Sequence, residues 1–331
     1  MKKRLVTVLP GDKDGIGPEV MSATLRVLEA MDVPLMWDIV EPLGIGGALN
    51  PVAIGSLERT QLGLKGPTAS EGHRSYNVQL RELFGLYANV RPIHTIPGIK
   101  TRFSDVPINL VVVRQGTEDS YIGEEYEIEG GAEAISRMTY AECRRISEFA
   151  FEFARKHGRK KVTVIHKANI LPKTHGLFRD VARQVSKDYP EIECDDAKYA
   201  DASLMRIVER PERFDVILAP NMFGDLASDI FAAFVGGVGV AAGWNAGQKV
   251  SVFETVGGTA PDIAGQGIAN PTAMMLTAAM LLDHVGSESL AVCLRSAIFE
   301  VLKNRLAVTK DIDPVNYVST EAFADAVIRS L

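Results

Sequence analysis

The sequence predicts an α/β fold built on a largely parallel sheet, and three observations support this prediction. Short apolar runs rich in valine, isoleucine and leucine, such as residues 5–9 and 109–114, have the length and composition of buried strands. Longer segments with apolar residues at helical spacing separate these runs, and charged residues directly follow several of them. A chain in which strands alternate with helices forms a mostly parallel sheet, whose strand ends carry the charged residues to one edge.

The composition narrows the class of protein. A chain of 331 residues can form one large or two medium domains with a substantial core. Its 46% hydrophobic and 24% charged residues are ordinary for a soluble globular protein. The net charge of −6 argues against general nucleic-acid binding, which needs a basic surface. The least polar later run, residues 230–243, is shorter than the roughly 20 residues of a membrane span. We therefore expect neither a nucleic-acid partner nor a membrane.

The cysteines and the first residues indicate a cytoplasmic protein. Cys143, Cys194 and Cys293 are odd in number and show no CxxC spacing, which is typical of free thiols in a reducing compartment. The apolar run before Pro10 is too short for the hydrophobic region of a signal peptide. We expect a cytoplasmic location.

The chain begins with a strand at residues 5–9 and a glycine-rich turn. Pro18 suits the first turn of the helix that follows, and Glu19 complements its N-terminal dipole. A strand, such a turn and a helix can form a phosphate or dinucleotide cradle. The spacing is not GxGxxG, so a plain turn is the alternative. Residues 34–40 give a second strand, and the pattern assigns no element to residues 43–65.

Three arginines follow in the next part of the chain. The first half of residues 66–81 has the composition of a loop, and Ser75 suits the N-cap of the helix that carries Arg81. Arg91 comes after this helix, and Arg114 ends a strand. An arginine at the end of a parallel strand lies where open α/β sheets bind ligands, and its planar guanidinium group matches a carboxylate. The three arginines either converge on an anionic substrate or are separate surface residues.

Residues 119–140 have a different character. Residues 120–128 and 133–138 have the composition of two strands around a Gly-Gly pair, which is a hairpin signal. A hairpin inserted in an α/β chain often contacts a partner subunit. We therefore expect a dimer clasp at about residues 119–140.

The strands after this hairpin lead to further charged residues. Lys167 follows the first of them, Asp201 follows the second, and the third leads into an acidic helix. A lysine at a strand end is either a surface residue or a base whose pKa is lowered by burial or by a nearby cation. These strands are predicted at residues 162–165, 193–199 and 214–219.

The acidic helix covers residues 221–229, with the sequence Asn-Met-Phe-Gly-Asp-Leu-Ala-Ser-Asp. Asp225 and Asp229 are four positions apart, so their side chains lie on one helix face, about 5–6 Å apart at Cβ. Apolar residues flank them, and two buried aspartates are costly unless a positive group lies between them. A hard divalent cation, which prefers oxygen ligands, is one such group. A solvated acidic face is the alternative.

The last third of the chain begins with a strand at residues 250–254 and a glycine-rich loop at residues 255–271. Such a loop lets the backbone approach a ligand closely. Three apolar helices follow, at residues 272–284, 290–303 and 319–331.

Taken together, these segments resemble the metal-dependent β-decarboxylating dehydrogenases, the family of isocitrate, isopropylmalate and homoisocitrate dehydrogenases. The resemblance covers nearly the full length and is greatest to the NAD-dependent isocitrate enzymes. The matching segments are residues 15–19 (Gly-Ile-Gly-Pro-Glu), 87–92 (Tyr-Ala-Asn-Val-Arg-Pro), 113–118 (Val-Arg-Gln-Gly-Thr-Glu) with Tyr121, 166–169 (His-Lys-Ala-Asn), 221–229, 258–265 (Gly-Thr-Ala-Pro-Asp-Ile-Ala-Gly) and 270–271 (Asn-Pro).

The resemblance implies an isocitrate/isopropylmalate dehydrogenase-like fold with two domains around a largely parallel sheet core. The large cofactor-binding domain would comprise residues 1–86 and 236–331. The small domain, residues 87–235, would carry the substrate and metal residues and the clasp hairpin. The implied assembly is a homodimer with shared active sites.

The resemblance also implies a reaction: NAD-dependent oxidative decarboxylation of a 2-hydroxy acid with a β-carboxylate. Mg²⁺ or Mn²⁺ would chelate the hydroxyl group and its neighbouring carboxylate. The implied metal ligands are Asp225 and Asp229, with Asp201 from the other subunit. Lys167, also from the other subunit, is implied as the base, and Tyr121 as the group that protonates the enol carbon.

The implied substrate residues favour isocitrate, which would be converted to 2-oxoglutarate. Arg81, Arg91 and Arg114 would hold carboxylates, and Ser75 and Asn77 resemble the Ser-x-Asn pattern that contacts the third carboxylate in isocitrate dehydrogenases. The alternatives are the same chemistry on homoisocitrate, 3-isopropylmalate, tartrate or a phosphonate analogue, and a small polar capping cluster without a ligand.

The implied cofactor site surrounds the loop 254–271. Asp262 favours NAD over NADP, because a carboxylate accepts hydrogen bonds from ribose hydroxyls and repels a 2′-phosphate. The residues implied in cofactor binding are Glu254, Gly258, Thr259, Ala260, Asp262 and Asn270.

Some positions depart from the family pattern. Gly257 stands where the family usually has His, Gln115-Gly116 stand where it usually has Glu-Asn, and Lys13-Asp14 resemble an insertion. They bear on the identity of the substrate.

A non-catalytic regulatory subunit of a hetero-oligomeric dehydrogenase is a second class of function. The presence of the base, the tyrosine and all three aspartates favours an active enzyme.

Overall fold

The computed structural model describes residues 3–69 and 74–331, without the side chain of Ile45. Residues 70–73, part of the predicted loop, lie outside the described residues. The chain forms two compact units: unit 1 comprises Met1–Phe84, Ile96–Ser104 and Ala232–Leu331, and unit 2 comprises Gly85–Thr95 and Asp105–Phe231. Both units combine helices with mostly parallel strands, so the predicted α/β class is confirmed.

The strands predicted at residues 5–9, 34–40, 109–114, 162–165, 214–219 and 250–254 are all present, as short apolar or β-branched runs. The strands of the structure are β1 (Arg4–Leu9), β2 (Leu35–Ile39), β3 (Leu62–Lys65), β4 (Ala88–His94), β5 (Asn109–Gln115), β6 (Glu125–Ile128), β7 (Gly131–Ala134), β8 (Lys161–Val164), β9 (Glu193–Asp195), β10 (Val216–Ala219), β11 (Ala242–Ala246) and β12 (Ser251–Thr255).

The segments with apolar residues at helical spacing form the helices. Within residues 3–69 and 74–331, none of them combines the length and apolar character needed to cross a membrane. The helices are α1 (Gly17–Ala30), α2 (Pro51–Thr60), α3 (Tyr76–Phe84), α4 (Tyr140–Lys156), α5 (Thr174–Val185), α6 (Ala200–Glu209), α7 (Asn221–Val235), α8 (Thr272–His284), α9 (Glu288–Lys303) and α10 (Thr320–Arg329).

The strands of unit 1 follow the order β2-β1-β3-β12-β11. Neighbours are parallel except β11 and β12, which are antiparallel. Helix α8 is buried along most of its length and packs on β11, β12 and α9. Its apolar side chains join those of the strands in one core, which holds unit 1 together.

The strands of unit 2 follow the order β4-β5-β10-β8-β9. Among these five strands β4 and β5 are antiparallel and the other neighbours are parallel, so the carboxyl ends of β5, β10, β8 and β9 lie at one edge. Helix α4 packs against β5, β8 and β10. This topology carries the residues that follow those strands, including Lys167 and Asp225, to the same edge of unit 2.

The predicted hairpin is present but shorter than predicted. Strands β6 and β7 pair in antiparallel fashion, and all their residues are exposed. The predicted first strand began at Ser120, but Ser120–Ile122 forms a turn of 3-10 helix. The carboxylate of Asp119 accepts a hydrogen bond from the Ser120 N–H and caps that turn. The role of the hairpin as a clasp remains a prediction.

Two other segments differ from their predicted structure. Residues 43–65, which the pattern left unassigned, contain α2 and β3, and the Asn50 side chain caps α2 by accepting from the Val52 N–H. The strand predicted at 193–199 ends at Asp195, and α6 begins at Ala200, whose N–H donates to the His166 carbonyl. Asp201 therefore lies within the first turn of α6 and not before it.

The bounds of the two units differ from those of the predicted domains by a few residues at both boundaries and in one further segment. Residues 96–104 were predicted in the small domain but belong to unit 1. Ile96 is part of the core of unit 1, and the Phe103 ring lies 4.4 Å from that of Phe234. The Thr101 hydroxyl donates to the Phe234 carbonyl at 2.7 Å. These contacts anchor the segment. The other boundaries lie at 84–85 and 231–232.

Candidate active site

Arg114 and Asp225 meet at the strand edge of unit 2. Arg114 lies near the end of β5, opposite Ala219 at the end of β10. The chain turns from β10 into α7, which places Asp225 one turn into that helix. The Arg114 guanidinium forms an ion pair with Asp225 and donates from Nε to the Asn221 side chain at 2.8 Å. Arg114 is 1% exposed, so this cation depends on the carboxylate for its counter-charge.

Arg91 lies between the two aspartates of α7. It comes from β4 and donates to Asp229 at 2.9 Å and to the Ser228 hydroxyl at 2.6 Å. Its other terminal nitrogen lies 3.5 Å from Asp225. Burial raises the pKa of Asp229, Arg91 lowers it, and the neighbouring Asp225 raises it further, so the net shift is upward. The positive charge that the acidic pair requires is supplied by arginines in this structure.

Tyr121 points at the same carboxylate. Its hydroxyl donates to Asp225, and the Arg114 guanidinium lies 4.9 Å from the centre of its ring. Arg91, Arg114, Tyr121, Asp225 and Asp229 therefore form one group in unit 2. The two guanidinium groups can bind carboxylates of a ligand, and the tyrosine hydroxyl can donate a proton.

Asp119 supports this group and was not among the residues predicted from the sequence. It has a φ of +70°, a region that residues other than glycine rarely adopt. Its carboxylate accepts from the Ser120 N–H and the Met222 N–H, at 2.8 and 2.9 Å. It thus joins the turn that carries Tyr121 to the start of α7. No sequence pattern indicates such a role, because the bond to Met222 depends on the tertiary fold.

Lys167 and Asp201 form a second group in unit 2. The Lys167 amine donates to Asp201 at 2.6 Å and lies 6.0 Å from the centre of the Tyr199 ring. The hydrogen bond from Lys167 lowers the pKa of Asp201, whose side chain is 70% exposed. No contact is described between this pair and Asp225 or Asp229. Over the described residues, no three carboxylate, histidine or cysteine side chains cluster closely enough to hold a metal ion.

The donor set fits a divalent cation only in part within one chain. Asp225 and Asp229 offer oxygen ligands, which suit Mg²⁺ and Mn²⁺. Asp201, the third predicted ligand, is paired with Lys167 instead. The described residues of one chain therefore do not bring the three aspartates together, and sharing of the site between subunits stays a prediction.

In unit 1, Arg81 and Glu254 belong to one buried network. The Glu254 carboxylate lies 3.1 Å from the Lys65 amine and 3.6 Å from the Arg81 guanidinium, and accepts from the Asn245 amide at 2.7 Å. Arg81 Nε donates to the Asn245 side chain at 3.2 Å. Burial raises the pKa of Glu254, but Lys65 and Arg81 outweigh it and lower the pKa to about 2. Lys65 and Asn245 were not predicted as site residues.

Ser75 and Asn77 lie at the start of α3. The Ser75 carbonyl accepts from the Gln79 N–H at 3.0 Å, so Ser75 stands at the N-terminal end of the helix. The Asn77 side-chain oxygen is buried and has no hydrogen-bond partner among residues 3–69 and 74–331. Buried polar atoms normally have a partner, so this oxygen is suited to accept from a ligand.

The predicted cofactor loop is attached to the start of α1. The Ile16 N–H donates to the Thr259 carbonyl at 2.8 Å, and a Cβ on Gly15 would lie 3.0 Å from Thr259. Ala260, next in the loop, has a φ of +41°. Gly258 has open space beside it, and the Asp262 side chain is exposed. An exposed carboxylate in a glycine-rich loop fits the ribose of NAD.

The far end of this loop is also fixed. The Asn270 side chain accepts from the Thr272 N–H at 3.0 Å and donates to Asp311 at 3.0 Å. Glu19 accepts from the Gly267 N–H at 3.2 Å and from the Ala269 N–H at 2.9 Å. It also accepts from the Thr320 hydroxyl. The start of α1 therefore holds both ends of the predicted cofactor loop.

The chain matches the family model described as "Isocitrate/isopropylmalate dehydrogenase" over residues 5–327. It belongs to the isocitrate/isopropylmalate dehydrogenase family. The family predicted from the sequence is thereby confirmed.

Curated relatives and a solved structure agree with this assignment. The chain is 40% identical over 316 residues to the "Probable isocitrate dehydrogenase [NAD] subunit alpha, mitochondrial" of Drosophila melanogaster, covering 93% of this chain and 82% of that protein. It is 41% identical over 319 residues to the "Isocitrate dehydrogenase [NAD] subunit alpha, mitochondrial" of Bos taurus, covering 93% and 86%. The crystal structure of isocitrate dehydrogenase from Methylococcus capsulatus superposes with a TM-score of 0.93 at 40% identity and covers 99% of both chains.

The departures of this family member are accommodated differently. Gln115 accepts from the backbone N–H groups of Thr117 and Glu118, at 3.1 and 2.8 Å. A Cβ on Gly116 would lie 2.5 Å from the Leu86 carbonyl oxygen, so the backbone would have to move for a larger residue. At Gly257 the nearest atoms to an added Cβ are 3.5 Å away, so a side chain fits there. A larger residue at position 116 would thus displace the backbone, whereas one at position 257 would not.

In this family member we expect Glu19→Gln to weaken NAD binding. One carboxylate oxygen that accepts from the loop is replaced by an amide NH₂, so at least one bond to residues 267–269 or to Thr320 is lost. Loss of one charge-assisted bond corresponds to about a tenfold rise in KM for NAD. KM for the acid substrate should change less than about twofold. Initial rates at varied NAD measure this.

The control is Glu29→Gln, an exposed residue of the same helix that undergoes the same change of charge. It should leave both KM values unchanged. An equal rise in KM for NAD in both variants would mean that helix charge, and not the bonds to the loop, sets the affinity.

Proposed function

We propose that this chain catalyses the NAD-dependent oxidative decarboxylation of isocitrate to 2-oxoglutarate, with Mg²⁺ or Mn²⁺. The observation that carries this proposal is the group in unit 2 in which Arg91, Arg114 and Tyr121 converge on Asp225 beside Asp229. The names of the relatives bear out the predicted enzyme class, the reaction and NAD.

The side chains of unit 2 bind the substrate carboxylates and transfer protons. Arg91 and Arg114 are buried cations and attract the substrate carboxylates. Lys167 takes the proton of the substrate hydroxyl group, and the carbon that bears this hydroxyl gives its hydride to NAD. Tyr121 delivers a proton to the carbon from which CO₂ departs. A divalent cation held by the aspartates supplies Lewis acidity to the substrate oxygens.

Unit 1 carries the residues that select the substrate and bind the cofactor. The Asn77 oxygen has no partner in the part of the chain that the structure describes, and with Ser75 beside it this supports recognition of a further polar arm of the substrate. The exposed Asp262 supports NAD over NADP. Homoisocitrate, 3-isopropylmalate, tartrate and phosphonate analogues remain outcomes of the assay below.

We propose a homodimer in which Lys167 and Asp201 serve the partner's site. Along α7, Met222, Leu226 and Ile230 are 40%, 59% and 48% exposed and follow each other at four-residue spacing. Such an apolar stripe on a helix supports burial against another chain. The fully exposed hairpin of β6 and β7 adds support, because an isolated two-stranded hairpin is marginally stable in water.

We also keep a cytoplasmic location as a proposal. All three cysteines are free, which supports a reducing compartment. The relatives from Drosophila and Bos are named as mitochondrial. Fractionation of the source cells with an antibody against the chain decides between the two locations.

The assay of this function is NADH formation from isocitrate with NAD and Mn²⁺. We expect turnover that a chelator abolishes, and a fall in kcat of about 10²- to 10⁴-fold in Lys167→Ala, the usual contribution of a general base. Lys187→Ala, an exposed lysine of unit 2, is the control and should retain wild-type turnover.

Three other results would change the proposal. Turnover of homoisocitrate, 3-isopropylmalate, tartrate or a phosphonate analogue, but not of isocitrate, would move the substrate. Full activity in Lys167→Ala would remove Lys167 from the chemistry. A folded chain without activity on any of these acids would favour the regulatory subunit.

A further inference from the structure

Two buried histidines flank Lys167 in unit 2. His166 precedes it directly, and His175 is the second residue of α5. They are 1% and 3% exposed. Neither ring has a role in the chemistry proposed above, yet both make hydrogen bonds to the backbone at Lys167 and Ala168.

The hydrogen bonds of His166 define its tautomer. Its Nε2 lies 2.9 Å from the carbonyl oxygen of Asp196. A carbonyl oxygen only accepts, so Nε2 carries the proton. Its Nδ1 is then unprotonated and accepts from the Ala168 N–H at 3.3 Å. A proton on Nδ1 would face this N–H and break the bond.

His175 makes the same kind of bond to Lys167 itself. The Lys167 N–H donates to His175 Nδ1 at 3.2 Å. The His175 ring lies 5.1 Å from the ring of Phe223, in the first turn of α7. The successive backbone N–H groups of Lys167 and Ala168 therefore both donate to imidazole nitrogens. Together they fix the turn that carries the proposed base, and His175 relates this turn to the helix of Asp225.

His166 also fixes the partner of Lys167. Its carbonyl oxygen accepts from the Ala200 N–H at 2.7 Å, at the first residue of α6, and the next residue is Asp201. Its ring lies 5.8 Å from that of Tyr199, edge to face. The Lys167 amine contacts both Asp201 and Tyr199. A displacement of His166 would therefore move both groups that surround the amine.

We propose that His166 and His175 are positioning residues for Lys167, because their unprotonated Nδ1 atoms hold the backbone N–H groups of Ala168 and Lys167 and so set the position of the amine. The importance of this for turnover rests on the proposed function, in which Lys167 is the base. A general base contributes fully only when it is held within hydrogen-bond reach of its proton.

The surroundings of both rings favour the neutral form. Burial lowers the pKa of His166; the groups that face it are Asp196, which raises this pKa, and Arg179 and Arg183, which lower it. Burial also lowers the pKa of His175, which faces Asp119 and His166. An unprotonated Nδ1 on each ring is consistent with these surroundings.

The first test compares His175→Asn with His175→Leu. Asparagine places its side-chain oxygen near the position of Nδ1 and keeps an acceptor, whereas leucine keeps the bulk and removes it. We expect kcat of His175→Leu to fall about 10- to 100-fold, the effect of misplacing a catalytic group by about 1 Å. KM for isocitrate should stay within about twofold, and His175→Asn should recover most of kcat, because the arginines that bind carboxylates are unchanged.

The second test does not depend on activity. In ¹⁵N NMR of the histidine-labelled wild-type protein at pH 7, His166 and His175 should both show an unprotonated Nδ1 and a protonated Nε2. After reductive ¹³C-methylation of the lysines, the Lys167 signal, assigned with Lys167→Arg, should move in His175→Leu. It should stay at the wild-type position in His175→Asn.

The two tests separate failure of this proposal from failure of the proposed function. If the wild type turns over no acid, the methyl signal still decides whether His175 sets the environment of Lys167. A proton on Nδ1 of either ring at pH 7 would overturn the proposal even if His175→Leu did not fold. So would wild-type kcat in His175→Leu, or an equal loss of kcat in the leucine and asparagine variants.

Discussion

Mixing inactive Lys167→Ala chains with inactive Asp225→Asn chains should restore about a quarter of wild-type activity. In a dimer with shared sites, each site takes Asp225 from one chain and Lys167 from the other. A mixed dimer then has one site with both residues intact and one site that lacks both. Equal amounts of the two chains, mixed at random, give half mixed dimers, so about one site in four is active. The measurement is NADH formation after the two chains are co-expressed or refolded together.

The control mixes variants whose defects belong to the same side of the site. Asp225→Asn with Asp229→Asn should restore nothing, because α7 of one chain carries both residues. Lys167→Ala with Asp201→Asn should also restore nothing, because these two residues contact each other within one chain. If the Lys167→Ala and Asp225→Asn mixture stays inactive while light scattering shows dimers, Lys167 does not serve the partner's site.

The fold of the last third of the chain was predictable because its signals are local. The apolar pattern predicts a helix at residues 272–284, and α8 occupies Thr272–His284. In contrast, β11 lies between the predicted end of the acidic helix and the next predicted strand, and it was missed. Its pairing with β12 buries Asn245 and Glu254, which is a tertiary effect. A short strand with Gly, Asn and Ala carries little pattern of its own.

The part of the candidate site that follows from the parallel order of the strands was predictable from the sequence. Because β5 and β10 are parallel neighbours, the residues at their carboxyl ends meet, and Arg114 contacts Asp225. The sequence indicated that a positive group lies between Asp225 and Asp229, and the group predicted was a divalent metal cation. The sequence did not indicate Arg91, because Arg91 reaches Asp229 from β4, an antiparallel strand far away in sequence. Such a pairing leaves no trace in the spacing of either segment.

The network around Glu254 in unit 1 was also invisible in the sequence. Arg81 and Glu254 were predicted as ligand contacts, on substrate and cofactor respectively. In the structure Glu254 pairs with both Arg81 and Lys65, a lysine that is 1% exposed. The burial of Lys65 could not be recognised from its neighbours in the chain, because the pattern assigns no element to residues 43–65. The network binds β3, α3, β11 and β12 to each other.

Glu254→Gln should therefore destabilise unit 1 by about 3–5 kcal/mol, the usual cost of leaving a buried charge without its partner. The substitution keeps the shape of the side chain but leaves the Lys65 and Arg81 cations together in the interior. Urea unfolding followed by tryptophan fluorescence measures this, because both tryptophans, Trp37 and Trp244, lie in unit 1. Lys249→Met, at an exposed lysine of unit 1, is the control and should change the unfolding free energy by less than about 0.5 kcal/mol.

Two further measurements identify charge as the cause of this loss. The double variant Glu254→Gln with Lys65→Met removes one of the two cations and should be more stable than Glu254→Gln alone. The folded-state pKa of Glu254, about 2, lies below its ordinary value of 4.5, so its contribution is fully present above pH 4.5 and is lost as the pH falls towards 2. The difference between wild type and Glu254→Gln should thus be largest at neutral pH and shrink below pH 4.5. A constant difference across this range, with no gain from Lys65→Met, would mean that lost packing and not unpaired charge destabilises the variant.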